Sequence, residues 1–222
     1  TVTPPTTKDH HLAHARAIFK ARNYKEAVPA FQRVLGPPAE AKGSANDLFN
    51  YGLAHARSGD YDAAIVVYGR LVKQHPTTKR ADFGSFKRGY TEYDRRSLEP
   101  AIVEFERHIR ERKDSKYLDE AIWFLGLCHW LNKSPTQAIK VWESLSVQRP
   151  KSPLVPAALY WIARLKGLAG NLELERKGYE ELLEKHPTAG HTWYAAFRLG
   201  RTFPQQKRVV APEWPTSFAS RK

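Results

Sequence analysis

The chain has 222 residues, of which 41% are hydrophobic, and a formal net charge of +13. No run approaches the roughly 18 consecutive apolar residues that a membrane-spanning helix needs. The single cysteine, Cys128, excludes an intramolecular disulfide, and we interpret it as a small apolar residue inside a helix. Because a basic chain is attracted to polyanions in general, the charge leaves nucleic acid, acidic lipid and anionic wall polymer as candidate partners.

The two ends of the chain differ in composition from the rest. Residues 1–8 hold two prolines and one apolar side chain, which predicts a disordered lead-in. Residues 202–222 hold three prolines without periodicity, which predicts an extended basic tail or linker. Because the chain begins at Thr1 and contains no methionine, we expect an excised or processed piece whose targeting segment lies outside this sequence.

Between these ends, a pattern repeats every 37 residues. Its clearest copy is residues 46–76, where a turn at Ser58-Gly59-Asp60 joins two helical patterns and Pro76 ends the second. The repeating positions form an alanine column (Ala27, Ala64, Ala101, Ala138, with Glu175 in the fifth place), an aromatic column (Phe31, Tyr68, Phe105, Trp142, Tyr179) and a small-residue column (Ala15, Gly52, Gly89, Gly126, Ala163). Agreement among these columns predicts five copies of one helix pair.

One such helix pair cannot bury its own apolar faces, so neighbouring copies must cover them. We therefore predict an all-α superhelix, or solenoid, of about five helical hairpins over residues 9–201. The predicted repeats are residues 9–39, 46–76, 83–113, 120–150 and 157–187, and residues 188–201 form a capping helix.

The columns resemble the tetratricopeptide repeat (TPR). The residues that carry this resemblance are Gly52, Gly59, Asp60, Tyr61, Ala64, Tyr68, Leu71 and Pro76. The usual period is about 34 residues, and the longer period here lengthens the joint between units, in HPTTKRAD, RKDSKYLD and RPKSPLVP. That joint resembles the repeats of bacterial periplasmic and outer-membrane-associated proteins, such as outer-membrane assembly lipoproteins and the Tol–Pal coordinator. The resemblance implies a binding scaffold in the bacterial envelope.

A narrower resemblance concerns the C-terminal part, which is similar to the last turns of the superhelical domain of soluble lytic transglycosylases. The matching residues are Tyr160, Trp161, Ala163, Arg164, Trp193, Tyr194, Ala196, Arg198, Leu199 and Gly200. The resemblance implies that the chain is the non-catalytic accessory domain of a periplasmic enzyme acting on peptidoglycan, with a fused catalytic domain downstream. From the fragment itself we expect no catalysis and no cofactor.

The predicted binding surface is the inner face of the first helix in each pair. Positions three before and four after the small-residue column lie on one helix stripe, and many of them are aromatic. Aromatic anchors beside arginine are typical of a binding hot spot. The candidate groove residues are Phe49, Arg57, Phe86, Tyr90, Tyr93, Trp123, Trp130, Tyr160 and Arg164. Two alternatives stay open: the rings line a groove for a protein segment or a peptidoglycan-related glycan strand, or they are buried between repeats.

Charged side chains give weaker signals. Arg33, Arg70 and Arg107 are also 37 residues apart, and they form either a solvated face or an anion-binding stripe. Aromatic and basic surfaces do bind single strands, but acidic residues are interspersed here and no recognised motif accompanies them, so we expect no nucleic-acid partner. His10 and His14 share a helix face that suits zinc, but no third ligand is evident and we expect no metal.

The sequence thus leaves competing functions. The chain is either the accessory domain of a cell-wall lytic enzyme or a free-standing envelope adaptor, with a nucleic-acid-associated scaffold as a third class. The coding sequence beyond Lys222 separates the first two.

Overall fold

The structure, a computed structural model, describes residues 7–202, and every regular element in that range is an α-helix. The helices are α1 (Thr7–Lys20), α2 (Tyr24–Leu35), α3 (Ala45–Ser58), α4 (Tyr61–Gln74), α5 (Lys79–Asp94), α6 (Leu98–Glu111), α7 (Leu118–Leu131), α8 (Pro135–Gln148), α9 (Val155–Leu168), α10 (Leu172–Lys185) and α11 (Gly190–Thr202). The predicted all-α class is confirmed. The first helix begins at Thr7, and the rest of the predicted lead-in and nearly all of the predicted tail lie outside the described residues.

Local sequence explains where the helices begin and end. The side chains of Ser44, Asp60 and Thr78 each accept a hydrogen bond from the backbone N–H three residues on, which satisfies one free donor at a helix start. At the predicted turn, Gly59 adopts the left-handed conformation that ends α3, with φ at +91°. The helices are 12 to 16 residues long, and none of those described is long and apolar enough to cross a bilayer.

The chain divides into two compact units inside α7, between Cys128 and His129. Unit 1 contains α1 to α6 and most of α7, and unit 2 contains the end of α7 and α8 to α11. Cys128 is fully buried, as the sequence predicted, and burial raises the pKa of its thiol to about 12.

In unit 1 the repeating columns are the core. The alanines Ala27, Ala64 and Ala101 and the aromatics that follow them four residues later are fully buried. Two of these rings pack directly on a glycine of the preceding helix: a Cβ at Gly52 would lie 2.8 Å from the Tyr68 ring, and one at Gly89 would lie 2.8 Å from the Phe105 ring. The small-residue column therefore exists because the second helix of each pair presses an aromatic ring against the first.

Unit 2 follows the same plan with one exception. Ala138, Trp142, Ala163 and Tyr179 are buried as their columns predict. Glu175 occupies the alanine position of the last repeat and is only 1% exposed. The helix α11 packs against both α9 and α10, and it contributes Ala195 and Leu199 to the core that these helices share.

Candidate functional site

Two of the predicted groove residues, Phe49 and Phe86, do not line a groove. Phe49 is 3% exposed and Phe86 is 6% exposed, so both belong to the alternative in which the rings are buried between repeats. The ring of Phe49 stacks on Phe83 of the next first helix at a centroid distance of 5.2 Å. The ring of Phe86 lies 5.6 Å from Tyr117 and 5.9 Å from Phe105. These neighbouring aromatic rings exclude solvent from both side chains.

A half-buried aromatic cluster remains on the inner face of unit 1. Tyr90 and Tyr93, both predicted, lie on α5 with ring centroids 6.1 Å apart. Phe124 of α7 presents its ring to both, 5.2 Å from Tyr90 and 5.1 Å from Tyr93, in edge-to-face arrangements. Edge-to-face contacts favour a fixed arrangement of rings. The cluster is therefore a preorganised, partly exposed aromatic surface.

Two cations flank this cluster. The ammonium of Lys87 lies over the Tyr90 ring at 4.2 Å from the centroid, within cation–π distance. Burial lowers the pKa of Lys87, the positive charge of Arg57 lowers it further, and Asp94 opposes both. Neither Lys87 nor the exposed Arg57 forms an ion pair with a carboxylate among the described residues. The site thus holds a partly desolvated positive charge that an incoming anion would stabilise.

We call the surface formed by Arg57, Lys87, Tyr90, Tyr93 and Phe124 the inner surface of unit 1. Sequence reasoning found three of its members and missed Lys87 and Phe124. The signal for Lys87 was its spacing, since it precedes Tyr90 by three residues on one helix. Phe124 gave no such signal, because it lies outside the predicted stripe, one residue after Trp123. Its ring nevertheless contacts the aromatic cluster.

The remaining predicted aromatics lie elsewhere. Trp123 is half-buried on α7. In unit 2, the half-buried Trp130 packs on Trp161 at 4.5 Å, and Tyr160 stacks on the buried Tyr179 at 5.5 Å. The structure therefore brings Trp130 and Tyr160 into two neighbouring contacts of unit 2.

Arg164 was predicted as a groove cation, and the structure pairs this partly exposed side chain with a buried carboxylate. Its Nη1 donates to Oε1 of the buried Glu175 at 3.3 Å. Glu175 also accepts a hydrogen bond from the Tyr179 hydroxyl at 2.9 Å and lies 3.5 Å from Nη2 of Arg198. A carboxylate in the core needs such partners, so Arg164 is held by the interior instead of being free for a ligand.

The structure also tests the two remaining charged patterns, the arginine row and the histidine pair. The row of Arg33, Arg70 and Arg107 is broken, because Arg107 donates two hydrogen bonds to the carboxylate of Glu104 at 2.7 and 2.8 Å. The exposed His10 and His14 lie on α1, and among residues 7–202 no three His, Cys, Asp or Glu side chains come together as a metal-binding group.

Two family models match the chain. Residues 41–149, just under half of the chain, match a family described as outer membrane lipoprotein (YfiO), and residues 157–189 match a tetratricopeptide repeat. The comparison with curated protein sequences found no match. None of the proteins named here is a lytic transglycosylase, so that resemblance stays a prediction.

Several solved structures share the fold of this chain at low sequence identity. A crystal structure of MamA is 18% identical with a TM-score of 0.57, and the match covers 83% of this chain and 97% of MamA. MamA from Desulfovibrio magneticus RS-1 is 13% identical with a TM-score of 0.59 over 85% and 99% of the two chains. YrrB, described as a TPR protein with an unusual peptide-binding site, is 12% identical with a TM-score of 0.57 over 83% and 89%. The TPR-like solenoid fold is confirmed.

Proposed function

We propose that this chain is an adaptor of the bacterial envelope that binds an extended, carboxylate-bearing protein segment across the inner surface of unit 1. The match of residues 41–149 to an outer membrane lipoprotein family supports the envelope location. The repeat fold supports a binding role, and a structurally similar protein, YrrB, is described as having a peptide-binding site. This reading favours the free-standing adaptor over the enzyme accessory domain.

The observation that carries the proposal is the pairing of partly exposed rings with cations that lack a carboxylate partner among the described residues. Tyr90, Tyr93 and Phe124 offer aromatic faces and edges to apolar side chains of a ligand. The positive charge of Arg57 lies close enough to disfavour the charge of Lys87, and Asp94 offsets this effect at Lys87. A carboxylate placed between the two cations relieves that repulsion, so an acidic segment binds better than a neutral one of the same shape.

The test uses peptides as the probe. A random peptide library is selected on the wild-type chain, and the affinity of an enriched peptide is then measured by fluorescence anisotropy. We expect enriched peptides to contain Asp or Glu beside an apolar residue. Lys87→Gln should weaken binding by about tenfold, because it removes a partly desolvated partner of the carboxylate. Tyr90→Ala should weaken it by a similar factor, because aromatic anchors dominate such sites.

Two controls make this result specific. Lys25→Gln removes an exposed, unpaired charge on α2 and should leave affinity unchanged. Replacing the acidic residue of the peptide by its amide should abolish the difference between wild type and Lys87→Gln. Equal affinities for wild type, Lys87→Gln and Tyr90→Ala would contradict the proposed site.

A second candidate function is the accessory domain of a peptidoglycan-acting lytic transglycosylase. The C-terminal sequence resemblance favours it, and its matched residues Arg164 and Arg198 converge on one carboxylate in unit 2. The measurement is sedimentation with purified peptidoglycan. Retention that is lost in Trp130→Ala and Tyr160→Ala, together with a coding sequence that continues into a lysozyme-like domain, would support this function over the adaptor. Absence of retention would exclude a glycan-binding role for these rings.

A further inference from the structure

We propose that unit 1 carries a second binding site, a cleft on its outer helices that takes a phosphate group. The cleft has a volume of about 560 Å³ and lies between the end of α2, the loop that follows it, and α4. Four cations from four segments of the chain line it: Lys8, Arg33, Lys42 and Arg70. Among the described residues, Glu40 is the only carboxylate in its lining. This site is separate from the inner surface and does not depend on the peptide-binding proposal.

The four cations lack carboxylate partners, unlike several other arginines of unit 1. None of them forms an ion pair with a described residue. By contrast, Arg88 and Arg107 share the carboxylate of Glu104 at 2.9 and 2.7 Å, and Arg95 pairs with Glu92 at 2.6 Å. Like charges that converge without counter-ions repel each other, so the cleft is a place where an anion adds stability.

One of the cations is partly positioned. Nε of Arg70 donates a long hydrogen bond of 3.4 Å to the backbone oxygen of Ala41. The same oxygen accepts a shorter hydrogen bond of 2.7 Å from Nε2 of Gln74. The contact with Ala41 directs the Arg70 side chain toward the loop at residues 36–42 and leaves its terminal nitrogens free of any described acceptor. The loop itself is fixed, because the backbone N–H of Lys42 donates to the oxygen of Leu35 at 2.9 Å.

The charge and shape of the cleft favour phosphate over a carboxylate. One carboxylate carries a single negative charge, whereas a phosphate monoester or diphosphate carries more charge and more acceptor oxygens. The planar guanidinium groups of Arg33 and Arg70 can each donate two parallel hydrogen bonds to such oxygens. The two arginines occupy the same position in adjacent repeats, so the 37-residue period places them on neighbouring outer helices. The ligand class is therefore a phosphate-bearing compound, either the head group of an anionic lipid or a free phosphate ester.

The first experiment measures binding of inorganic pyrophosphate to the whole chain by isothermal titration calorimetry. We expect saturable binding with one site, and about a tenfold loss in the double variant Arg33→Gln/Arg70→Gln, because each arginine makes charge-assisted hydrogen bonds. Glu40→Gln should tighten binding by about twofold to threefold, since it removes the one repulsive charge at a solvent-screened site. Circular dichroism checks that each variant remains helical.

A matched control separates the cleft from general basicity. The control variant Lys140→Gln/Lys151→Gln also removes two positive charges, from exposed lysines far along the sequence. At about 0.15 M salt, long-range electrostatic interactions are screened, so this variant should change pyrophosphate affinity less than twofold. Equal weakening in both double variants, or no binding of pyrophosphate and no binding of vesicles by the wild type, would overturn the proposal.

A vesicle arm identifies the source of the phosphate. Flotation with vesicles of phosphatidylcholine alone is compared with vesicles that also contain phosphatidic acid. Binding to the latter that the cleft variant loses and the control variant keeps supports a lipid head group. Pyrophosphate binding without vesicle binding supports a free phosphate ester. Vesicle binding that the cleft variant retains in full overturns the lipid form of the proposal.

Discussion

Each unit buries ionisable side chains, and His108 of unit 1 and Glu175 of unit 2 are stabilised in opposite ways. In unit 1, His108 of α6 is fully buried between two hydroxyl groups, with Nδ1 3.0 Å from Oγ of Ser85 and Nε2 2.9 Å from Oγ of Ser115. In unit 2, Glu175 of α10 is surrounded by two guanidinium groups and one phenol. The two hydroxyl groups favour a neutral imidazole at His108, whereas the two guanidinium groups favour a negatively charged carboxylate at Glu175.

This difference decides what each group does for its unit. Hydroxyls can donate to one ring nitrogen of His108 and accept from the other, so the neutral imidazole is satisfied, whereas protonation would place a positive charge in a site that burial desolvates. The pKa of His108 is accordingly lowered to about 4, mainly by burial, with Asp82 opposing the shift and Arg112 adding to it. Glu175, in contrast, links three helices, because Arg164 lies on α9 and Arg198 on α11. We therefore expect pH to affect unit 1 and substitution at the carboxylate to affect the docking of α11.

The largest expected effect is the pH dependence of unit 1. The unfolded chain protonates His108 near its ordinary pKa of 6.5, whereas the folded chain does so near 4. The unfolded state thus binds the proton first, and stability that is present above pH 6.5 is lost as the pH falls toward 4. The loss is roughly 3 kcal/mol of unfolding free energy.

Urea unfolding at several pH values measures this loss, and His108→Gln is the variant to compare. Its dependence on pH between 6.5 and 4 should be shallower than that of the wild type by about one proton. The buried His55, whose pKa burial also lowers, contributes equally to both proteins and cancels in the comparison. An NMR titration that places the pKa of His108 near 6.5 would refute the neutral network.

The next effect concerns Glu175 and Gly167, which we expect to be coupled. A Cβ on Gly167 would collide with the Glu175 carboxylate, so the glycine makes room for the exception in the alanine column. Glu175→Ala should destabilise unit 2 by about 2 kcal/mol, below the usual cost of breaking a buried pair because Arg164 and Arg198 are about a quarter exposed. Gly167→Ala should be damaging in the wild type and nearly neutral, or stabilising, in Glu175→Ala.

A double-mutant cycle with hydrogen exchange on α11 tests this coupling. Amides around Arg198 should exchange faster in Glu175→Ala, since the residue that ties α11 to α9 is gone. Glu173→Ala is the control, because Glu173 is exposed on the same helix and pairs only with Arg176 and Lys177. Additive effects of the two substitutions in the cycle would show that Gly167 serves another purpose.

These cases show how far the sequence could predict the structure. The period of 37 predicted the helix pairs and the core, because each column has one packing role that recurs in each repeat. The break at Glu175 coincides with glycine at residue 167, in a column otherwise occupied by Phe19, Ala56, Tyr93 and Trp130. That coincidence was a readable signal that the glycine compensates for the larger Glu175 side chain, but it did not identify Arg164 as the partner of Glu175.

The exposure of the candidate site could not be read in the same way. Phe49 and Phe86 occupy the predicted stripe, but Phe83 and Tyr117, which lie outside all of the columns, cover them. Whether a ring on the inner face meets solvent depends on side chains of the next repeat, which differ from copy to copy. The columns therefore predict which helix face is involved and not which rings are free.

The smallest effect tests a further column, the left-handed residue of each hairpin turn. Residues 22, 59, 96, 133 and 170 are spaced by 37, and all five have positive φ, although only residues 59 and 170 are glycine. At the turn between α7 and α8, Lys133 has φ of +58°. Because a Cβ is disfavoured there, Lys133→Gly should stabilise unit 2 by about 0.5 to 1 kcal/mol after the added flexibility of the unfolded chain is subtracted.

The contrasting variant is Lys140→Gly, which removes the same exposed side chain type from the interior of α8. It should destabilise by about 1 kcal/mol, since glycine in a helix loses more backbone entropy. Urea midpoints, with hydrogen exchange along α8, distinguish the two. If both substitutions destabilise alike, the turn position tolerates lysine without strain, and the glycines at residues 59 and 170 reflect something other than backbone conformation. Opposite signs would show that the turn, like the columns of the core, is set by one backbone requirement that recurs every 37 residues, whichever unit contains it.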